Sequence, residues 1–397
     1  MSIVTIKIIF FILLFIVFYA YLGYGILLFI LLKIKRLFSK KVDTYDSEFL
    51  PEITYMVAAF NEEDWIGEKI KNSFEFDYPK DKIKYFFVTD GSDDRTPDVV
   101  KNYHTPEGYD LQLFHQPERR GKIAAVERVM EFVKTPIVIF SDANTFVNPD
   151  AIRNIIRHYK NEKVGAVAGE KRISLNNKGA ANEAGEGLYW KYESTLKKWD
   201  SELHSVVGAA GELFSVRTEL FKPVPSDTII EDFVMTMRIA DSGYKVVYEP
   251  EARAVETAST SVKEELKRKI RIAAGGIQAI GRLSYMLLPF KNPVLTFQYI
   301  SHRVLRWTLA PLALPFLLII NIYLVQKGEP FFQYILWCQI SFYVMALVGY
   351  FLEKQKLKFK AFFVPYYFCV MNYAMYRGFF RAIGGRQPVI WEKAKRG

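Results

Sequence analysis

Phe140-Ser-Asp-Ala-Asn-Thr-Phe146 closes an apolar run in the way that decides the architecture. The run itself, Thr135-Pro-Ile-Val-Ile-Phe140, is short, apolar and β-branched, the pattern of a buried strand rather than a helix. Asp142 and Asn144 come next in quick succession, and Asn148-Pro149-Asp150 reads as a helix N-cap with proline at the first helical position. A buried strand that delivers a carboxylate and an amide oxygen at its tip, just before a helix, points those oxygens at a ligand.

The same grammar recurs. From Glu52 to about Pro250, the apolar runs Ile53–Ala59, Tyr85–Thr89, Leu111–Phe114, Ile137–Ser141 and Val164–Ala168 alternate with helical stretches at about 62–75, 96–103, 121–133 and 149–160. Alternation of this kind predicts an α/β domain, a parallel sheet with helices on both faces. Two more runs end in polar clusters: Phe60-Asn61-Glu62-Glu63-Asp64 and Asp90-Gly91-Ser92-Asp93-Asp94. Open sheets bind ligands outside the carboxyl ends of their strands. Acids gathered there, with Lys122 after Arg119-Arg120-Gly121, suit a divalent cation and a phosphate. Oxygen donors without Cys or His favour Mg²⁺ or Mn²⁺. Each cluster also has a plainer reading. Asp90-Gly91-Ser92 fits a turn with capping residues, and Asn61-Glu62-Glu63-Asp64 fits an N-cap followed by acids that the helix dipole favours. Three such clusters on one sheet shift the weight to binding. No GxGxxG comes after the first run, and Arg120-Gly121-Lys122 lacks the upstream glycine of a P-loop, which excludes dinucleotide and P-loop sites.

The chain has 397 residues, 50% of them hydrophobic, and a formal net charge of +10, enough for one catalytic-sized domain and additional parts. Cys338 and Cys369 both lie in apolar segments, and the five histidines are scattered with no HExxH, so disulfide and zinc frameworks are excluded. Residues 8–32 carry no charge and are long enough to cross a bilayer, and they lack the shorter core and cleavage site of a signal peptide. Lys33, Lys35, Arg36, Lys40 and Lys41 come at once after it, against Lys7 alone before, which places the N-terminus outside and residue 40 in the cytoplasm. The remaining positive charge gathers at 263–282, 353–360 and 377–396, beside apolar segments, as anionic head groups favour. The central domain is not basic, so nucleic acid is excluded as a partner.

Residues 261–287 read as a basic amphipathic helix lying on the membrane, with Val262, Leu266, Ile270, Ala273, Ile277 and Ile280 on its apolar side. Trp307–Val325 and Phe331–Leu352 read as two spans joined by a short loop at 326–330. The stretch 361–376 is interrupted by Pro365 and Asn372 and followed by Arg377, Arg381 and Arg386. It predicts an interfacial helix over 361–383, with a fourth span as the alternative. The expected organisation is an anchor at 1–40, a cytosolic domain at 41–260, an interfacial helix at 261–290 and a membrane region at 291–397 that ends in a tail at 384–397.

At these residues the chain resembles membrane-bound members of glycosyltransferase family 2, the bacterial hyaluronan, cellulose and poly-N-acetylglucosamine synthases and their non-processive cousins. The resemblance covers nearly the whole chain. It implies a GT-A fold, a doubly wound mixed sheet flanked by transmembrane and interfacial helices. Ala58-Ala59-Phe60-Asn61-Glu62-Glu63 resembles the first-strand motif and Asp90-Gly91-Ser92-Asp93-Asp94 the DGSxD motif. Ala59, Asn61, Glu62, Asp90 and Asp93 are thereby implied to line a uridine pocket, and Lys122 to meet the diphosphate. Asp142-Ala143-Asn144 is similar to the DxD metal motif, with asparagine at the second acidic position.

Ile230-Glu231-Asp232 resembles the TED motif with isoleucine for threonine. This implies that Asp232, with Glu231 next in line, takes a proton from the acceptor hydroxyl and that configuration inverts; an acidic first helical turn is the plainer reading. Gly208 and Gly211 would let an acceptor sugar approach the backbone, or would simply form a turn. Arg268 and Arg271 sit where processive enzymes carry (Q/R)xxRW, but Ile272 replaces the tryptophan; a basic face touching lipid is the alternative. Trp391 resembles the C-terminal gating element. The implied activity is transfer from a UDP-sugar to a lipid-linked or growing glycan acceptor, at the cytoplasmic face of the inner (plasma) membrane. A processive β-polysaccharide synthase and a non-catalytic nucleotide sensor are the alternatives.

Overall fold

The computed structural model describes residues 1–38, 48–174, 180–257, 262–355, 357 and 359–385. Among them, eight strands form one sheet: β1 Ile53–Ala59, β2 Ile83–Asp90, β3 Asp110–Gln116, β4 Ile137–Asp142, β5 Thr145–Val147, β6 Val164–Ser174, β7 Leu213–Arg217 and β8 Lys245–Thr257. The spatial order is β3-β2-β1-β4-β7-β6-β8-β5. Successive strand residues face opposite sides, and the sequence fills both. Met56, Val138, Phe140 and Phe214 join one core, beneath the helices Lys122–Met130 and Glu231–Asp241. Tyr55, Val57, Ile137 and Ile139 join the other, beneath Glu63–Phe74 and Ala151–Ile156.

The sheet is mixed rather than parallel. Strands β3, β2, β1 and β4 run parallel, but β7 enters antiparallel between β4 and β6, and β5 lies antiparallel to β8. With five and three residues, β7 and β5 are too short to declare a direction in the sequence. Strand β5 also alters the path of the chain after Asn144. The next helix begins at Ala151 with Asp150 as its N-cap, not at Asn148. Asn148 instead ties the end of β5 to β8, donating to the Glu251 carbonyl (2.9 Å) and accepting from the Arg253 N–H (2.7 Å).

Among the described residues, three helices are long and apolar enough to cross a membrane: Ile3–Phe38, Leu309–Gln326 and Pro330–Lys354. The first contains a π-helical turn at Tyr19–Gly23 and packs against the second, and Lys7 pairs with Glu329 at 2.6 Å. The stretch expected to form a helix over 361–383 is one helix, Lys360–Ile383. Pro365 lies near its start and removes a single backbone hydrogen bond, while Asn372 accepts from the Tyr21 hydroxyl (2.7 Å). The basic helix Val262–Arg282 buries its apolar stripe against the chain itself. Ile270, Ala273 and Ala279 are buried, and Gly276 and Gly378 bring the Trp307 ring and the helix Lys360–Ile383 onto its backbone.

A buried polar cluster joins the first apolar helix and residues 298–306 to the helix Ala180–Leu203. Tyr24, Gln298 and His302 converge on Asp200, and Arg303, Arg306 and His302 converge on Glu193. Both acids lie on the helix Ala180–Leu203. Buried charges persist where partners satisfy them, and here each carboxylate has at least three.

Candidate active site

The loops after β1 and β2 are sewn together by their own polar residues. Asn61 sits at φ +53°, a conformation that asparagine tolerates better than most residues. Its amide accepts from the Asp93 N–H (3.0 Å) and donates to the Asp93 carboxylate (2.5 Å). Glu62 N–H donates to Thr96 Oγ1 (2.8 Å) and Glu63 N–H to Asp94 Oδ2 (3.1 Å). Ala59 pairs with Thr89 across β1 and β2, which aligns the two loops.

Asp90, only 6% exposed, accepts through Oδ2 from the N–H groups of Arg120 (2.8 Å) and Gly121 (2.6 Å). The loop can close on it because Gly91 and Gly121 adopt φ values of +65° and +94°, and a side chain at Gly91 would collide with the Arg119 backbone. Asp90 therefore shapes the loop that delivers Lys122.

Lys122 is 28% exposed and lies 2.8 Å from Asp142 Oδ1 and 3.4 Å from Glu231 Oε1. Burial pulls its ammonium down, but Asp142, Glu231 and Asp232 outweigh burial and hold it above the ordinary lysine range. Asn144 is 7% exposed, in the turn between β4 and β5. Asp232 opens the helix Glu231–Asp241 beside Glu231. A side chain built on Gly211 would place its first carbon 3.4 Å from both Asp232 Oδ2 and Lys122 Nζ. Gly211 thus lies within contact distance of both groups. Burial and the neighbouring Glu231 push Asp232 up to about 7, against the pull of Lys122. Such a displacement beside a specific cation makes Asp232 a candidate for proton transfer.

The other sequence candidates separate. Arg271 donates to the Ile229 carbonyl (3.1 Å); burial lowers its pKa, opposed by Glu231, Asp232 and Asp142. Arg268 points elsewhere, against Glu265 (2.9 Å) and towards Glu212 and Glu256 (3.9 Å each), in a network centred on the buried Lys171. Gly208 has φ +80°, and any side chain there would run into the Phe233 ring, so it seats the base of the helix that carries Asp232. Gly208→Ala is expected to destabilise the protein by about 2–4 kcal/mol through strain and overpacking, read as a fall in the thermal midpoint. Trp391 lies outside the described residues.

One residue escaped sequence reasoning. Lys69 is fully buried beneath the Asp142–Asn144 turn and donates to Ser141 Oγ (2.8 Å) and to the Thr145 carbonyl (2.6 Å), one on each side of that turn. Burial lowers its pKa to about 7, although Asp142 opposes the shift. The signal was present: Lys69 falls on the inward face that Ile66, Ile70 and Ser73 define.

Residues 54–224 match the family described as Glycosyl transferase family 2. A poly-beta-1,6-N-acetyl-D-glucosamine synthase of Staphylococcus aureus is 28% identical over 259 residues, covering 63% of this chain and 60% of that protein. The probable glycosyltransferase YdaM of Bacillus subtilis is 21% identical over 332 residues, covering 80% of this chain and 78% of that one. Superposition on a mannosyltransferase of Pyrobaculum calidifontis, solved with GDP-Man and Mn²⁺, gives a TM-score of 0.75 over 96% of this chain and 99% of that chain, at 22% identity. The fold is GT-A-like. Within it, Asp90, Lys122, Asp142, Glu231 and Asp232 occupy the rim formed by the ends of β2 and β4 and the start of the helix Glu231–Asp241.

Proposed function

We propose that the chain is an inverting membrane glycosyltransferase that moves a sugar from a UDP-sugar to a lipid-linked or growing glycan acceptor at the cytoplasmic face of the plasma membrane. The observation that supports this reading most is the convergence of one cation and three carboxylates: Lys122 lies 2.8 Å from Asp142 and 3.4 Å from Glu231, and Gly211 faces both Lys122 and Asp232. A nucleophilic substitution at an anomeric carbon needs a cation for the leaving diphosphate and a base for the incoming hydroxyl, on opposite sides of the reacting carbon.

In this scheme Asp232 accepts the acceptor's hydroxyl proton, the oxygen attacks the anomeric carbon, and the bond to the nucleotide breaks on the far face. Lys122 is the charge that meets the departing diphosphate. Asp90 acts through the loop it shapes and, with Asn61 and Asp93, frames the nucleoside side of the cleft. A further role for Glu62 and Arg271 in donor binding rests on their position at this rim.

The chain's own donors for a metal are the Asp142 carboxylate and the Asn144 amide oxygen. No group of three or more His, Cys, Asp or Glu able to hold an ion occurs among the described residues. Two hard oxygen donors fit Mg²⁺ or Mn²⁺ arriving with a diphosphate that supplies further oxygens. Such an ion neutralises charge on the leaving group.

Release of the nucleoside diphosphate (UDP, or GDP from GDP-mannose) by the purified full-length protein in lipid, across a panel of UDP-sugars with GDP-mannose included, tests the reading. Single additions support transfer to a lipid-linked acceptor, long polymer supports a processive synthase, and nucleotide binding without turnover supports a sensor. The panel is broad because the relatives' names point to different sugars, N-acetylglucosamine and mannose.

The Lys7–Glu329 pair supports a topology in which the start of the first helix and the 326–330 loop share one side of the membrane. With the positive-inside bias, that side is the exterior. After replacement of Cys338 and Cys369, Lys327→Cys is expected to react with an impermeant thiol reagent on intact cells and Gln355→Cys to be protected. Protection of Gly384→Cys marks the helix Lys360–Ile383 as interfacial, and its labelling marks a fourth span.

A further inference from the structure

The segment Asp227–Ile230, which leads directly into Glu231 and Asp232, is held from one side by a single helix. Gln278 Nε2 donates to the Asp227 carbonyl (2.8 Å), and its Oε1 accepts from the Ile229 N–H (3.0 Å). Arg271 donates to the Ile229 carbonyl (3.1 Å), while Arg282 donates to Thr228 Oγ1 and pairs with Asp227 Oδ1 (2.6 Å). Gly275 lies between them, and a side chain there would begin 2.9 Å from Ile230 Cγ2 and 3.0 Å from Ile229 Cγ2. Positions 271, 275, 278 and 282 are spaced four, three and four apart, so they form one stripe of the helix Val262–Arg282.

We propose that Gln278 is a positioning residue for the catalytic pair: by pairing with the backbone of Asp227 and Ile229 it fixes where the helix carrying Glu231 and Asp232 begins. The amide of glutamine is suited to this because it presents one donor and one acceptor side by side and so treats the loop backbone as a neighbouring strand would. The rest of the same helix is gripped by the membrane region. Gly276 abuts the Trp307 ring, and Ala273 and Ala274 abut Gly378 of the helix Lys360–Ile383. Gln278 therefore ties the catalytic pair to a frame built by the membrane helices rather than to the sheet alone. The proposal rests on Asp232 being the base.

The test compares wild type, Gln278→Leu and Gln278→Glu as full-length proteins in lipid nanodiscs. Leucine keeps the bulk and helix propensity and removes both hydrogen bonds; glutamate retains an acceptor for the Ile229 N–H. The expected result for Gln278→Leu is a kcat roughly 10–100-fold lower, as for a misplaced catalytic group, with donor KM and UDP affinity within about twofold of wild type. Gln278→Glu recovers part of kcat. Amide hydrogen exchange rises in Gln278→Leu over 227–236 and not in the sheet. Wild-type kcat in Gln278→Leu, a loss confined to donor KM, or unchanged exchange over 227–236 overturns the proposal. If Gln278→Leu does not fold, Gln278→Glu carries both readouts. An inactive wild type would count against the glycosyltransferase reading, and the exchange arm would still decide whether Gln278 holds the loop.

Discussion

Asp232→Asn is expected to bind UDP as the wild type does and to transfer sugar roughly 10²–10⁴-fold more slowly, the range for loss of a general base. Asparagine keeps the size of the side chain and most of its hydrogen bonding, so the packing beside Gly211 and the contact between Lys122 and Glu231 survive. What disappears is the site for the proton. Because burial and Glu231 push Asp232 up to about 7, the active, deprotonated form grows as pH rises. The wild-type kcat should climb through that region to a plateau above it, and the residual rate of Asp232→Asn should lack this limb. Titration of UDP binding in the same preparations separates the two functions. A variant with full turnover would reduce Asp232 to an acid in the first turn of a helix and make Glu231 the next base to test. A sensor would show UDP binding, no turnover in either protein and no difference between them.

Asp142→Ala is expected to lower turnover by roughly 10²–10³-fold, the scale for removing one preorganised electrostatic contact at a leaving group. Two effects combine. The carboxylate that would meet a divalent cation is lost, and Lys122 loses its nearest partner, at 2.8 Å. Asn144→Asp should instead be tolerated and should lower the concentration of Mg²⁺ or Mn²⁺ needed for half-maximal rate, because it adds a charge beside a donor already in place. Full turnover of the wild type in excess chelator would remove the metal from the scheme and leave Lys122 alone against the diphosphate.

Much of this site was legible because its residues sit at the ends of strong hydrophobic runs. β1, β2 and β4 are long and apolar, so their ends could be located, and the polar residues after them stood out. The direction of β7 was not legible, since five residues between two loops carry no record of which neighbour they pair with. Nor was the division between Arg268 and Arg271. Both lie on the polar side of one helix, and only tertiary packing sends the first into a carboxylate network and the second to the loop before Glu231. Lys69 was visible as a polar residue on an apolar face, but its target, the turn between β4 and β5, existed only once β5 was known.

The buried cluster around Asp200 and Glu193 draws its partners from distant parts of the chain. They come from the helix Ile3–Phe38, through Tyr24, and from residues 298–306, which follow the whole sheet domain in the sequence. Without residues 298–306, Glu193 lacks His302, Arg303 and Arg306, and Asp200 lacks Gln298 and His302. Seating of the helix Ala180–Leu203 is therefore expected to depend on a segment that follows the sheet domain in the sequence. A fragment trimmed to residues 48–257 would leave both buried acids without these partners, so it is expected to unfold at a lower temperature than the whole chain.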